Sequence, residues 1–118
     1  MHMPSSQHQD LARGRWRTLS LAGQLGNVGS EFERAIRWKE KNQTLLSDKA
    51  VARMLELLDL TIADTRWHNH RLYELTRLRE EVCRELSTNS MQAGSIHALQ
   101  KYFLSFATWA RQENRQVI

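Results

Sequence analysis

Proline occurs once in these 118 residues and cysteine once, and each scarcity excludes something. The one proline, Pro4, lies in the polar start "MHMPSSQHQD", so beyond it no ring blocks a helix. That start reads as a disordered leader with a cloning scar. A single thiol, Cys83, cannot form an intrachain disulfide, which points to a reducing compartment. No apolar run reaches the roughly 18 residues a bilayer span requires, and the leader lacks the apolar stretch of a signal peptide. A cytoplasmic protein with no membrane partner is the expectation.

Enzyme signatures are also missing. Bundles that hold carboxylate-bridged metals use Glu-x-x-His pairs. Here Glu31, Glu33, Glu74 and Glu81 are followed three positions later by Arg34, Ile36, Arg77 and Arg84. His68 and His70 are two apart, a spacing that separates them on a helix, and the letters "HNH" around them are a coincidence of composition. Cys83 sits beside Val82 in a helical run and reads as a half-buried structural thiol. No glycine-rich phosphate loop joins a strand to a helix. The residues therefore argue for a non-enzymatic protein with no metal, no cofactor and no small-molecule substrate.

What the chain does contain is helix-forming composition and a basic excess. The formal charge is +4 and the isoelectric point about 9.7. Arginine carries most of it, since lysine occurs only at Lys39, Lys41, Lys49 and Lys101. Arginine favours bidentate contacts with phosphate and carboxylate, although a solvated helix surface accounts for the same residues.

Apolar residues recur at helical spacing in four segments. Leu21, Leu25, Val28, Phe32, Ala35 and Ile36 mark a first helix over about Arg17 to Lys41, broken by "NQTLLS". Ser47 or Asp48 is placed to cap a second, with Val51, Met54, Leu55, Leu58 and Ile62 on its inner side. Turn residues in "ADTRWHN" precede a third, which carries Leu72, Leu75, Leu78, Val82 and Leu86. After the loop "STNSMQAGS", Ser95 is placed to cap a fourth with Ile96, Leu99, Phe103, Phe106 and Ala110. The economical fold is all-α, an up-down-up-down four-helix bundle over residues 15–113, with a leader at 1–14 and a tail at 114–118.

Several residues do not fit one core stripe. Trp38, Leu57 and Leu60 lie off it and suggest a second buried surface, most simply a homo-oligomer interface. Ala22, Gly26, Gly29 and Glu33 form a bare stripe beside the apolar face of the first helix. Each interior glycine costs a helix about 1 kcal/mol relative to alanine, so something should offset it. Three explanations stand open: packing against a neighbouring helix of the same chain, packing between subunits, or a helix break near Gly26-Asn27.

Arginine and aromatic residues interleave twice, in "RGRWR" (Arg13 to Arg17) and "RWHNHR" (Arg66 to Arg71). Arg13, Arg15, Trp16, Arg17, Arg66, Trp67, His68 and Arg71 are the candidate contacts for nucleic acid or an acidic partner, by stacking and phosphate pairing. The two runs are expected at opposite ends of the bundle, which counts against one shared patch. The third helix mixes Arg77, Arg79 and Arg84 with Glu74, Glu80, Glu81 and Glu85 and reads as a mainly solvated face.

The runs "GQLGNVGSEFERAIRWKEKN", "ARMLELLDLTIADTRW" and "RLYELTRLREEVC" resemble those of a group of small uncharacterised microbial four-helix-bundle proteins, over most of Leu21 to Trp109. In architecture and charge the chain is also similar to the accessory variability determinant of diversity-generating retroelements and to the intervening-sequence four-helix proteins. That resemblance implies a basic homo-oligomeric accessory factor that binds a reverse transcriptase and its RNA. A protein-protein scaffold bundle is the alternative.

Overall fold

A computed structural model describes residues 14–87 and 93–115. These residues are all-helical, with no strand among them, in four long helices packed together. They are α1 (Leu21–Glu40), α2 (Thr44–Ala63), α3 (His70–Ser87) and α4 (Ala93–Arg115), with a short 3-10 turn at Thr65–Trp67 between α2 and α3. Arg13 and residues 88–92 of the expected loop lie outside the described residues.

The apolar stripes read from the sequence face inward. Leu25, Val28, Phe32, Met54, Leu58, Leu75, Val82 and Phe103 meet in one core, with the Phe32 and Phe103 rings 5.4 Å apart. Helix α1 lies close against both α2 and α4, whereas α3 stands further from α4. Leu57 and Leu60 pack on the core edge of their own chain.

Helix boundaries are decided by caps. Ser20 caps α1: its hydroxyl accepts from Gly23 N–H at 3.1 Å and donates to Glu113 on α4 at 2.6 Å. The other end of α1 closes with Asn42 in the left-handed region (φ 59°). The N–H groups of Asn42 and Gln43 then bond the carbonyls of Lys39 and Trp38, at 3.0 and 2.9 Å, the paired bonds of a Schellman turn. Asparagine tolerates this backbone because its short amide fits where most side chains clash.

Because the chain turns so tightly, α2 begins at Thr44, and neither Ser47 nor Asp48 caps it. Ser47 is instead buried one turn in, where its hydroxyl donates to the Ala35 carbonyl at 3.1 Å and ties α2 to α1. Ser95 likewise lies inside α4, which begins at Ala93. Asn69 caps α3 through its side-chain oxygen, which accepts from Arg71 N–H at 2.8 Å. Lys39 donates to the Leu86 carbonyl near the end of α3 at 3.0 Å.

The glycines pack within the chain. Helix α1 runs unbroken through Gly26-Asn27, so no break offsets their cost. A methyl group added at Gly29 would overlap Phe103 Cβ, and one at Gly26 would stand 3.2 Å from Ala107 Cα, both on α4. Ala22 is buried and Glu33 accepts from Gln100 on α4 at 3.2 Å. The bare stripe therefore lets the α4 backbone approach α1, which makes Ala22, Gly26, Gly29 and Glu33 a close-packing surface within the chain, the first of the three explanations.

Candidate functional site

The two Arg-aromatic runs meet. Trp16, just before α1, is buried and donates its indole N–H to Thr61 near the end of α2 at 3.0 Å. The expectation of opposite ends is overturned: the chain doubles back after α1, so the end of α2 and the turn after it return to the level where α1 starts.

Gln24 sits at the centre of this junction, fully buried on α1. Its amide nitrogen donates to the Trp16 carbonyl (2.9 Å) and to Asp64 Oδ2 (3.0 Å). Its oxygen accepts from Trp67 Nε1 at 2.9 Å. Both N–H bonds and the carbonyl of the amide are thus used. Asp64, itself buried, takes a two-point contact from Arg66, with Nε to Oδ1 at 3.0 Å and Nη2 to Oδ2 at 2.7 Å. Arg66 also donates to the Leu19 carbonyl at 2.8 Å, and its guanidinium lies 4.5 Å from the centroid of the Trp67 ring. The hydrogen bonds from Arg66, aided by Gln24 and opposed by burial, hold the Asp64 carboxyl at about 2, against an ordinary 3.8.

Three of the candidate ligand contacts, Trp16, Arg66 and Trp67, thus have their polar atoms engaged inside the chain. Arg15 and Arg17 are exposed beside them, His68 is exposed with Nε2 2.8 Å from the Ile62 carbonyl, and Arg71 pairs with Glu74 at 3.3 Å. Gln24 was not singled out by the sequence, yet it carried a signal: a glutamine inside the Leu21-Leu25-Val28 stripe calls for polar partners. Asp64 read only as turn chemistry.

A second basic-aromatic cluster lies away from this junction. Trp38, half-buried on α1, lines a shallow cleft with Arg34, Arg37 and Lys41. The Lys41 ammonium stands 5.6 Å from the centroid of its ring. The adjoining cleft between α1 and α2 adds Lys49 and Arg53. Two carboxylates temper the charge there, Glu31 and Glu56. Glu31 is buried and bonds both Arg34 (3.1 Å) and Arg53 (3.4 Å), which fixes those guanidinium groups at the surface. The sequence placed Trp38 with an oligomer interface; the fold surrounds it with cations. Among the described residues no group of three or more His, Cys, Asp or Glu converges as a metal site would need, and no helix is long and apolar enough to cross a membrane.

The described residues together form an all-helical arrangement of four long helices with a polar junction and a cationic aromatic face. Compared with protein-family models, curated proteins and solved structures, the chain matches none of them.

Proposed function

We propose that the protein is a non-enzymatic, homo-oligomeric helical bundle that binds RNA as an accessory factor to a reverse transcriptase, in the cytoplasm. The observation that carries the reading is the cluster of Arg34, Arg37, Lys41, Lys49 and Arg53 around the half-buried Trp38. Cations spaced along two helices follow a phosphate chain, and an indole among them offers a stacking platform for an unpaired base. Arg15 and Arg17 add exposed charge elsewhere on α1's flank. The partner polymerase is proposed from the resemblance in architecture and charge. For the fold we propose up-down-up-down topology, supported by Trp16 bonding the end of α2, Ser20 bonding the end of α4 and Lys39 bonding the end of α3.

Fluorescence anisotropy with a labelled single-stranded RNA tests the reading. Affinity should fall steeply as salt rises, because each phosphate contact releases counterions. Arg37→Glu with Lys41→Glu should weaken binding about tenfold or more, and Trp38→Ala about fivefold or more, the stacking share. Absence of binding at low salt, or variants that bind like the wild type, would sink it.

A protein-protein scaffold is the second reading, favoured by large apolar side chains left at the surface: Leu45, Tyr73, Leu104 and Trp109.

A further inference from the structure

Helices α3 and α4 stand apart, and a groove of about 640 Å³ opens between them. Its floor is apolar, from Leu78 on α3 and Leu99 on α4. Tyr102 reaches into it from α4, and its hydroxyl is the buried side-chain polar atom among the described residues that has no partner. Burial, with Glu74 nearby, pushes that hydroxyl up to about 12, so it remains a proton donor. Tyr73 on α3 lines the groove and is exposed, and Trp109, also exposed, lies two turns beyond Tyr102 on the same side of α4.

Among the charged residues that α3 contributes to the wall, Glu85 stands at its edge and Glu74, Arg77, Glu81 and Arg84 form a stripe. The three-four-three spacing of these four keeps them on one side of the helix, the spacing of a helix-pairing seam. Within the chain they are only loosely engaged. Arg84 stands 3.9 Å from Glu81, Arg77 donates to the Tyr73 hydroxyl at 3.3 Å, and Glu74 pairs with Arg71 at 3.3 Å. Exposed pairs of this kind contribute little and exchange readily.

The order Glu-Arg-Glu-Arg has a symmetry property. Read backwards it becomes Arg-Glu-Arg-Glu, at the same spacing. A second α3 laid antiparallel, with the two-fold axis crossing at the level of Arg79, therefore puts an opposite charge across from every one of the four. Glu74 of one copy faces Arg84 of the other, and Arg77 faces Glu81, each pairing occurring twice. A parallel copy in register would oppose like charges. Self-complementarity of one patch about a two-fold axis is the requirement of an isologous dimer.

We propose that the α3-α4 groove is the surface through which two copies of this chain pair, α3 against α3 in antiparallel orientation, with Tyr73 and Trp109 as its aromatic anchors. Arg79 takes no part, since it is held on the far side by Asp59 on α2 at 2.7 Å. The inference rests on the homo-oligomeric half of the proposed function and is independent of its RNA half, which uses α1 and α2.

Sedimentation equilibrium on the full chain tests it, with circular dichroism as the check on folding. The wild type should dimerise, and more weakly as salt rises. Arg77→Glu with Arg84→Glu makes the seam all-acidic, and Glu74→Arg with Glu81→Arg makes it all-basic. Each variant alone should self-associate about tenfold or more weakly than the wild type. An equal mixture of the two should form a heterodimer, because the seams are then complementary. Should reversal perturb folding, Arg77→Gln with Arg84→Gln is the milder form and should still weaken association. A wild type that stays monomeric overturns both this interface and the oligomeric part of the proposed function. A wild-type oligomer whose seam variants assemble unchanged, or whose mixture fails to pair, overturns this interface alone.

Discussion

Trp16 and Thr61, forty-five positions apart, are joined by a 3.0 Å hydrogen bond from the indole N–H to the threonine hydroxyl. The same hydroxyl donates to the Leu57 carbonyl one turn back at 3.1 Å, so it serves as acceptor and donor at once. Both residues are buried, and removing one partner strands the other. Thr61→Val keeps the shape and deletes the acceptor. It should cost about 1–3 kcal/mol, the penalty for a buried orphan donor. Urea denaturation is the measurement; an unchanged midpoint would mean the indole finds water.

Acid should weaken the protein through Asp64. Its pKa is lowered from 3.8 to about 2 in the fold, so the carboxylate's contribution is complete above about 4 and disappears as pH falls toward about 2. That contribution is about 2 kcal/mol at most, since the partly exposed Arg66 is screened by solvent. Asp64→Asn should lower stability at neutral pH and flatten its dependence below pH 4. A variant that retained the wild-type acid slope would assign the effect to another group.

Arg66 should not tolerate lysine. It grips both oxygens of Asp64, donates to the Leu19 carbonyl and lies over Trp67, a fork that one ammonium cannot reproduce. Arg66→Lys should cost about 1–2 kcal/mol, and shift the fluorescence of Trp67 as its ring loosens. Native stability with unchanged emission would contradict that geometry.

Gly29 and Gly26 should respond differently to alanine. At Gly29 the added methyl overlaps Phe103 Cβ, an atom fixed to its backbone, so the helices must part. The net cost should be about 1–3 kcal/mol despite better helix propensity. At Gly26 the nearest atom, Ala107 Cα, is 3.2 Å away, so α4 needs to yield by only a few tenths of an ångström, a cost that the better helix propensity of alanine offsets. Gly26→Ala should fall near neutral. Thermal melts of the two variants decide it, and equal melting temperatures would refute close packing at Gly29.

The core was legible because burial follows the 3.6-residue period. Leu21, Leu25, Val28, Phe32 and Ile36 needed no knowledge of their partners to be placed inward. Caps were less legible. Ser47 has a capping side chain, but the Schellman turn at Asn42 starts α2 earlier and leaves that hydroxyl to tie α2 to α1. Trp38 looked like an interface residue because it lies off the core stripe; its cationic neighbours Lys49 and Arg53 come from another helix.

The sequence by itself determined four amphipathic helices, a basic balance and the places where arginine and tryptophan adjoin. Those follow from local spacing and composition, which the chain carries without folding. Tertiary structure alone decided what each such place does. Helix return brings Trp16, Gln24, Asp64, Arg66 and Trp67 within hydrogen-bonding reach, so three of the candidate ligand contacts, Trp16, Arg66 and Trp67, are engaged in an internal junction. Close approach of α4 turns the glycine stripe into an intrachain seam, because Phe103 and Ala107 fill the space a side chain would need. Separation of α3 from α4 leaves the Glu74-Arg77-Glu81-Arg84 pattern bordering an open groove rather than packed against a neighbouring helix of the same chain.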